Sequence, residues 1–256
     1  MISNKQTKLI LSLQKKKQRD AMSLYLIEGD KLIREYLEAG EHLAYLAAYP
    51  DWLETQPKQL LKKAETIIEV DSKELKKISS LSSPHNALAI VRMKTNKLYS
   101  EKFTDGLTIA LDFVQDPGNM GTIIRVAAWF GIKNIVCSKS CVDIYSPKVI
   151  QSSMGALLAT DIYYTNLESF LIDMSELKVP VYATTLDGES VYNESLSKNG
   201  IILFGNESKG ISNEILPYLT KKLLVPGGDK PAAGVESLNI ATSASVICSE
   251  FKRRGF

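Results

Sequence analysis

Asparagine, arginine, glutamate and serine side chains sit beside strongly apolar segments in the second half of this 256-residue chain. Asn119-x-Gly121-x-x-x-Arg125 follows the apolar run 107–113, and Gly205-Asn-Glu207-Ser-Lys-Gly210 follows the run 201–204. Ser237-Leu-Asn239 opens the last apolar stretch. These residue types are suited to gripping and aligning a polar ligand. A guanidinium holds a phosphate through two parallel N–H bonds, and amides and hydroxyls position a hydroxyl group. Gly118 and Gly121 let the backbone approach a ligand closely, where helix N-terminal amides favour an anion. Arginine stays protonated, so Arg125 suits phosphate binding and hydroxyl orientation better than proton abstraction. The ends of strands are where α/β enzymes keep their ligands. Each residue also admits a structural reading: Asn119, Ser237 and Asn239 as helix caps, Glu207 as a capping acid, Arg125 as a surface cation.

The elements that must position these residues are legible from periodicity. From residue 107 onward, apolar strands (107–113, 134–138, 162–164, 181–185, 201–204, 222–225) alternate with helices, including 122–130, one begun by Ser146-Pro147, and a closing helix over 238–254. That pattern predicts a mostly parallel sheet covered by helices on both faces. Before residue 95 the segments are shorter: a lysine-bearing helix over 4–20, strands at 24–27, 43–48, 66–70 and 87–93, a helix over 31–39 closed by Gly40, and a helix capped by Asp71. The expected division is a small α/β domain over 1–95, a polar linker over 96–105 and a larger α/β domain over 106–256.

Composition narrows the chemistry. Residues 1–100 carry 17 Lys/Arg against 12 Asp/Glu, a balance of +5, and residues 101–256 carry 14 against 17, a balance of −3. Lys15, Lys16, Lys17 and Arg19 crowd the front end, pointing to an anionic partner held there. The alternative is a solvated helix face. Three cysteines and two histidines make no metal-ligand pattern and no even disulfide framework, so a reduced cytoplasm and no bound metal are expected. No apolar run of about 18 residues predicts a membrane span. The third glycine and downstream acid of a dinucleotide loop are missing, which disfavours a dinucleotide-binding oxidoreductase.

The three motifs, in this order over about 120 residues, resemble those of the SpoU/TrmH family of RNA ribose 2′-O-methyltransferases. The segment Tyr25-Leu-Ile-Glu-Gly-Asp-Lys-Leu-Ile-Arg34 resembles the substrate-binding N-terminal domain of many members. The resemblance implies an α/β trefoil knot, S-adenosyl-L-methionine as cofactor, a structured RNA as substrate with ribosomal RNA favoured over tRNA, and a homodimer with its site at the interface. It implies catalytic roles for Asn119, Arg125, Glu207, Ser237 and Asn239, with Glu207 holding Arg125. Cofactor contacts would come from Leu203, Phe204, Gly205, Val225 and Leu238, with Thr184 a further candidate, and RNA contacts from Lys15, Lys16, Lys17 and Arg19. Gly205 is expected to leave room for the cofactor. The loop 227–236 is longer than the family's usual spacing, and Ile240-Ala-Thr242 replaces a more typical valine/serine run. A tRNA methyltransferase, or a non-catalytic RNA-binding protein of the same fold, are the alternatives.

Overall fold

The computed structural model describes residues 2–228 and 237–255. In chain order they form α1 (Asn4–Ser12), α2 (Lys16–Met22), β1 (Leu24–Glu28), α3 (Asp30–Glu38), β2 (Leu43–Ala48), α4 (Pro50–Glu54), α5 (Lys58–Leu61), β3 (Ile67–Glu69), α6 (Ser72–Ile78) and β4 (Ala87–Arg92). There follow β5 (Leu107–Leu111), α7 (Pro117–Trp129), β6 (Asn134–Ser138), α8 (Pro147–Ser153), β7 (Asp161–Thr165), α9 (Leu167–Glu176), β8 (Val181–Ser190), β9 (Gly200–Phe204), β10 (Lys221–Leu224) and α10 (Ile240–Gly255). Among the described residues the strands make two sheets, ordered β1-β4-β2-β3 and β10-β8-β9-β5-β6-β7. By its contacts the chain divides into Met1–Thr95 with Asp143–Leu158, and Asn96–Val142 with Ala159–Phe256. Residues 143–158, which the expected division assigns to the larger domain, thus pack with the first unit.

Alternation along the strands sorts the first unit. Leu26, Leu88 and Ile90 face Ile10, Leu13, Leu75 and Ile78 on one side of the sheet. Tyr25, Ile27, Ala89 and Val91 face Ile33, Tyr36, Leu37 and Trp52 on the other, where Ile150, Leu157 and Leu158 complete the core. As expected, Asp71 opens α6, here with a reciprocal capping box to Glu74.

The helix expected over 4–20 is instead two helices, because Lys15 adopts extended backbone between them. Arg19 explains the break. Its Nη1 donates to the carbonyls of Leu13 and Gln14, both at 2.9 Å, which an unbroken helix would have kept for residues 17 and 18. Its Nε and Nη2 donate to Oδ2 of Asp143 at 3.2 and 2.5 Å, and the residue is 3% exposed. Arg19 is therefore a structural cation, and its expected RNA contact is corrected: four of its five N–H groups are engaged inside the fold and the side chain is buried.

In the second unit every strand pairing is parallel. β5 is buried along its whole length, as a strand covered on both faces must be. Ala110, Val136, Ala183 and Leu203 face Phe170, Leu171 and Met174 of α9. Tyr182 points the other way and meets the ring of Phe251 in α10, centroids 5.1 Å apart. The polar linker expected over 96–105 holds a core residue. Phe103 is fully buried and stands edge-on to Tyr163 and Phe170, at 5.4 and 5.0 Å. β8 runs five residues past its expected end to pair with β10 across a register shift. Gly188 makes that pairing possible, since a Cβ there would lie 2.7 Å from the Leu223 backbone.

Candidate active site

Parallel pairing sets Leu111, the last residue of β5, beside Phe204, the last of β9, so the two turns that follow meet. Asp112 N–H donates to the Phe204 carbonyl at 2.8 Å, and the buried Asp112 carboxylate accepts from both N–H and Oγ of Ser212, at 2.8 and 2.6 Å. Asn206 Nδ2 donates to the Phe113 carbonyl at 2.9 Å, while its Oδ1 accepts from Ser208 and Lys209 N–H. These residues fix the turns and were not singled out from sequence; short polar side chains next to glycine were the available signal. Gly205 serves the same end. A Cβ there would sit 2.5 Å from the Gly210 backbone, so the space the sequence reading reserved for a cofactor is filled by the protein's own turn.

α7 begins at Pro117, five residues before the expected start at 122. Asp116 is its N-cap, accepting from Asn119 N–H at 2.8 Å. Aspartate followed by proline is the ordinary opening of a helix, so this start was readable. With the backbone capped by Asp116, the Asn119 side chain is free, and it joins the three motifs. Its Nδ2 donates to Glu207 Oε1 at 2.7 Å, and its Oδ1 accepts from Asn239 Nδ2 at 2.9 Å. The amide orientations follow from the partners. A carboxylate only accepts, so Asn119 must present Nδ2 to Glu207. Asn239 must present Oδ1 to the N–H groups of Ala241 and Thr242 that it caps at 2.9 and 3.3 Å, leaving Nδ2 for Asn119. One lone pair on Asn119 Oδ1 and one N–H on each amide remain for a ligand.

Arg125 stands apart from this chain. Six helical residues separate it from Asn119, about 9 Å along the axis and about 240° around it. It is exposed, and among the described residues its side chain makes no ion pair or hydrogen bond. Glu207 therefore holds Asn119 rather than Arg125, which corrects the expected pairing. The cause is the earlier start of α7, which puts Asn119 on the helix itself. Arg125 shares its exposed stripe with Trp129, one turn on and 85% exposed.

The remaining candidates are distributed as follows. Ser237 is exposed, and Leu238 is 47% exposed beside Asn239. Val225 is partly buried just past β10, and among the described residues the backbone of 225–228 makes no ladder or turn bond. The side chains of Leu203 and Phe204 lie in the core, and Thr184 Oγ1 donates to the Leu203 carbonyl at 3.2 Å. Lys15, Lys16 and Lys17 are exposed, with Lys16 2.8 Å from Asp20. Residues 229–236 of the long loop lie outside the described residues. Behind β5, Cys141 Sγ donates to the Leu111 carbonyl at 3.3 Å, and the neighbouring Cys137 thiol draws its pKa below the ordinary thiol value while that of Cys137 itself is pushed up.

Comparison with known proteins adds a second line of observation. Residues 106–249 match the SpoU rRNA Methylase family, and residues 4–89 match the MRM3-like substrate binding domain. The 23S rRNA (guanosine(2553)-2′-O)-methyltransferase of Bacillus subtilis is 27% identical over 95% of this chain and 94% of its own. A TrmH-family structure from Porphyromonas gingivalis superposes with a TM-score of 0.88 at 34% identity, covering 99% of both chains. The AdoMet-bound rRNA methyltransferase of Sinorhizobium meliloti also gives 0.88, at 27% identity over 100% of this chain and 97% of its own. The fold shared with these structures is a knotted one.

Proposed function

The chain belongs to the SpoU rRNA methylase family, and from that premise we propose that it methylates a ribose 2′-hydroxyl of ribosomal RNA, with S-adenosylmethionine as donor. The observation that carries the reading is the hydrogen-bonded line Glu207–Asn119–Asn239, which unites residues far apart in sequence and leaves amide groups aimed at a ligand.

The donor set suits the cofactor. Adenine needs an apolar wall and backbone amides more than charge. Leu238 offers apolar surface, and Val225 and the 225–228 backbone offer unused polar groups; Gly205 offers no space. Bound there, the cofactor supplies an electrophilic methyl. The protein's task is alignment and exclusion of water. Glu207 fixes the Asn119 amide, and the remaining N–H groups of Asn119 and Asn239 donate to ribose oxygens, which leaves the hydroxyl proton free to depart. Ser237 adds a hydroxyl at the same edge. Arg125 grips the neighbouring phosphate, and a phosphate oxygen so held is the acceptor nearest to the hydroxyl proton.

The same proposal includes a homodimer and residence in the cytoplasm. An exposed tryptophan on an ordered helix is a strong interface anchor, and the Arg125–Trp129 stripe faces away from the Asn119 line of its own chain. A second copy seated on this stripe buries Trp129 and carries its arginine to the neighbouring site. Trp129→Glu is expected to yield a monomer by sedimentation and to lose methyl transfer; a dimer of unchanged affinity would remove this stripe from the interface. RNA is held through Lys15, Lys16 and Lys17 by phosphate contacts.

The deciding experiment is transfer of labelled methyl to ribosomal RNA from a strain lacking the gene, mapped by resistance to alkaline cleavage. A single protected ribose supports the reading. Cofactor binding without incorporation into ribosomal RNA would overturn the substrate assignment.

A further inference from the structure

Phe113 holds a conformation that its side chain disfavours. Its φ is +62°, in the left-handed region that bulky residues avoid. The other described non-glycine residues with positive φ have local reasons. Ser23 and Met154 cap helix C-termini, Lys178 follows the end of α9, and Asn86 is a residue type that tolerates the region. Phe113 lies between β5 and α7, with no helix end to excuse it. The surroundings over-determine it: Phe113 N–H donates to Ser138 Oγ at 2.9 Å, and its carbonyl accepts from Asn206 Nδ2 at 2.9 Å. Strain fixed from both sides is what binding loops store.

The ring is only partly buried, and Lys209 Nζ sits 5.0 Å from its centroid. Among the described residues that ammonium has no carboxylate partner. Asn206, which pins Phe113 and accepts from the Lys209 N–H, immediately precedes Glu207. The pair therefore stands at the edge of the Asn119 line.

The geometry points to Phe113 and Lys209 as the contact for an unpaired nucleotide flanking the methylated ribose, a reading that rests on the RNA methyltransferase assignment. The base stacks on the Phe113 ring, and Lys209 moves from the ring to the phosphate. The exchange is favourable on both sides. A ring covered by an exposed ammonium gains a larger π surface, and a lysine with no counter-charge gains one. Stacking tolerates any base, so this contact contributes affinity and selects unpaired RNA over duplex.

The test uses the full-length protein, an unmodified 23S rRNA transcript, filter binding, methyl-transfer kinetics and S-adenosylhomocysteine binding. Phe113→Asn keeps a residue that accepts the backbone conformation while removing the ring. It is expected to melt within about 2 °C of the parent and to bind S-adenosylhomocysteine equally, while KM and Kd for the transcript rise about tenfold. Phe113→Trp should restore RNA affinity to within about twofold. Lys209→Gln should weaken RNA binding about threefold and lower its salt slope by about one. RNA affinity unchanged within twofold in Phe113→Asn overturns the proposal. So does a loss of more than about 10 °C in melting that Phe113→Trp repairs without recovering RNA affinity, since the ring would then be packing alone. Filter binding reads the contact even if the parent transfers no methyl group, so failure of the reaction assignment remains distinguishable from failure of this one.

Discussion

Arg19 on α2 and Arg125 on α7 are both arginines that sequence alone offers as RNA contacts, and the fold treats them in opposite ways. Arg19 is buried, with Asp143 and two carbonyls using its donors. Arg125 lies on the outer face of an ordered helix with no partner among the described residues. A buried guanidinium must be matched group for group, because leaving it unpaired costs several kcal/mol. An exposed one can be kept free at almost no cost to stability. Charge therefore says little about function until burial and partners are known; the unsatisfied, well-positioned cation is the one available for a substrate.

Removing the buried arginine has the larger effect. Arg19→Ala should cost about 3–5 kcal/mol of stability, the penalty for stranding Asp143 and two carbonyls, read as a fall in chemical-denaturation midpoint with unchanged slope. A variant that melts like the parent but binds RNA weakly would return Arg19 to the binding surface. Next, Arg125→Ala should lower methyl transfer at least about a hundredfold, leaving melting and S-adenosylhomocysteine binding as they were. Unaltered turnover would take Arg125 out of the mechanism.

Smaller effects sharpen the contrast at the surface. Neutralising Lys15, Lys16 and Lys17 together should flatten the salt dependence of RNA binding by up to about three units of slope. An exposed pair such as Lys16–Asp20 is weak and is readily given up for a phosphate. A slope that does not move would make these lysines ordinary solvated charges. Glu250 offers a third ionic setting, between Arg253 and Arg254 on α10. Its bond to Arg253, reinforced by Arg254, brings its pKa down to about 2. A depressed carboxylate stabilises the fold above its unfolded value of about 4.3 and loses that contribution as pH falls toward 2. Thermal melting of Glu250→Gln should accordingly converge on that of the parent between about pH 4.5 and 2; parallel curves through that window would show that Glu250 does not titrate there.

Much of the scaffold was readable because its causes are local. β5 and β9 are almost wholly apolar, with Thr108 the one polar side chain, and such runs belong in a sheet covered on both faces. Asp71 and Ser146 announce their helices by capping chemistry within three residues. The motifs, too, were visible as polar residues just beyond apolar strands. Errors arose where a residue's partner lies far along the chain. Phe103 looked like part of a polar linker because Tyr163 and Phe170, which bury it, come some sixty residues later. Gly205 looked like space for a ligand because nothing local shows the Gly210 backbone folding back against it.

Local pattern alone is enough for the α/β class, the parallel sheet, the three motifs and the basic front end, since periodicity, capping and composition act over a few residues. Which polar groups meet is settled by long-range packing: Glu207 with Asn119 across 88 residues, Asn239 with Asn119 across 120, and Arg19 with Asp143 across 124. Hydrogen bonds and ion pairs depend on ångström distances between side chains, and those distances are set by how whole strands and helices pack. No local pattern carries that information. It is also what separates a buried structural arginine from an exposed one with its donors unused.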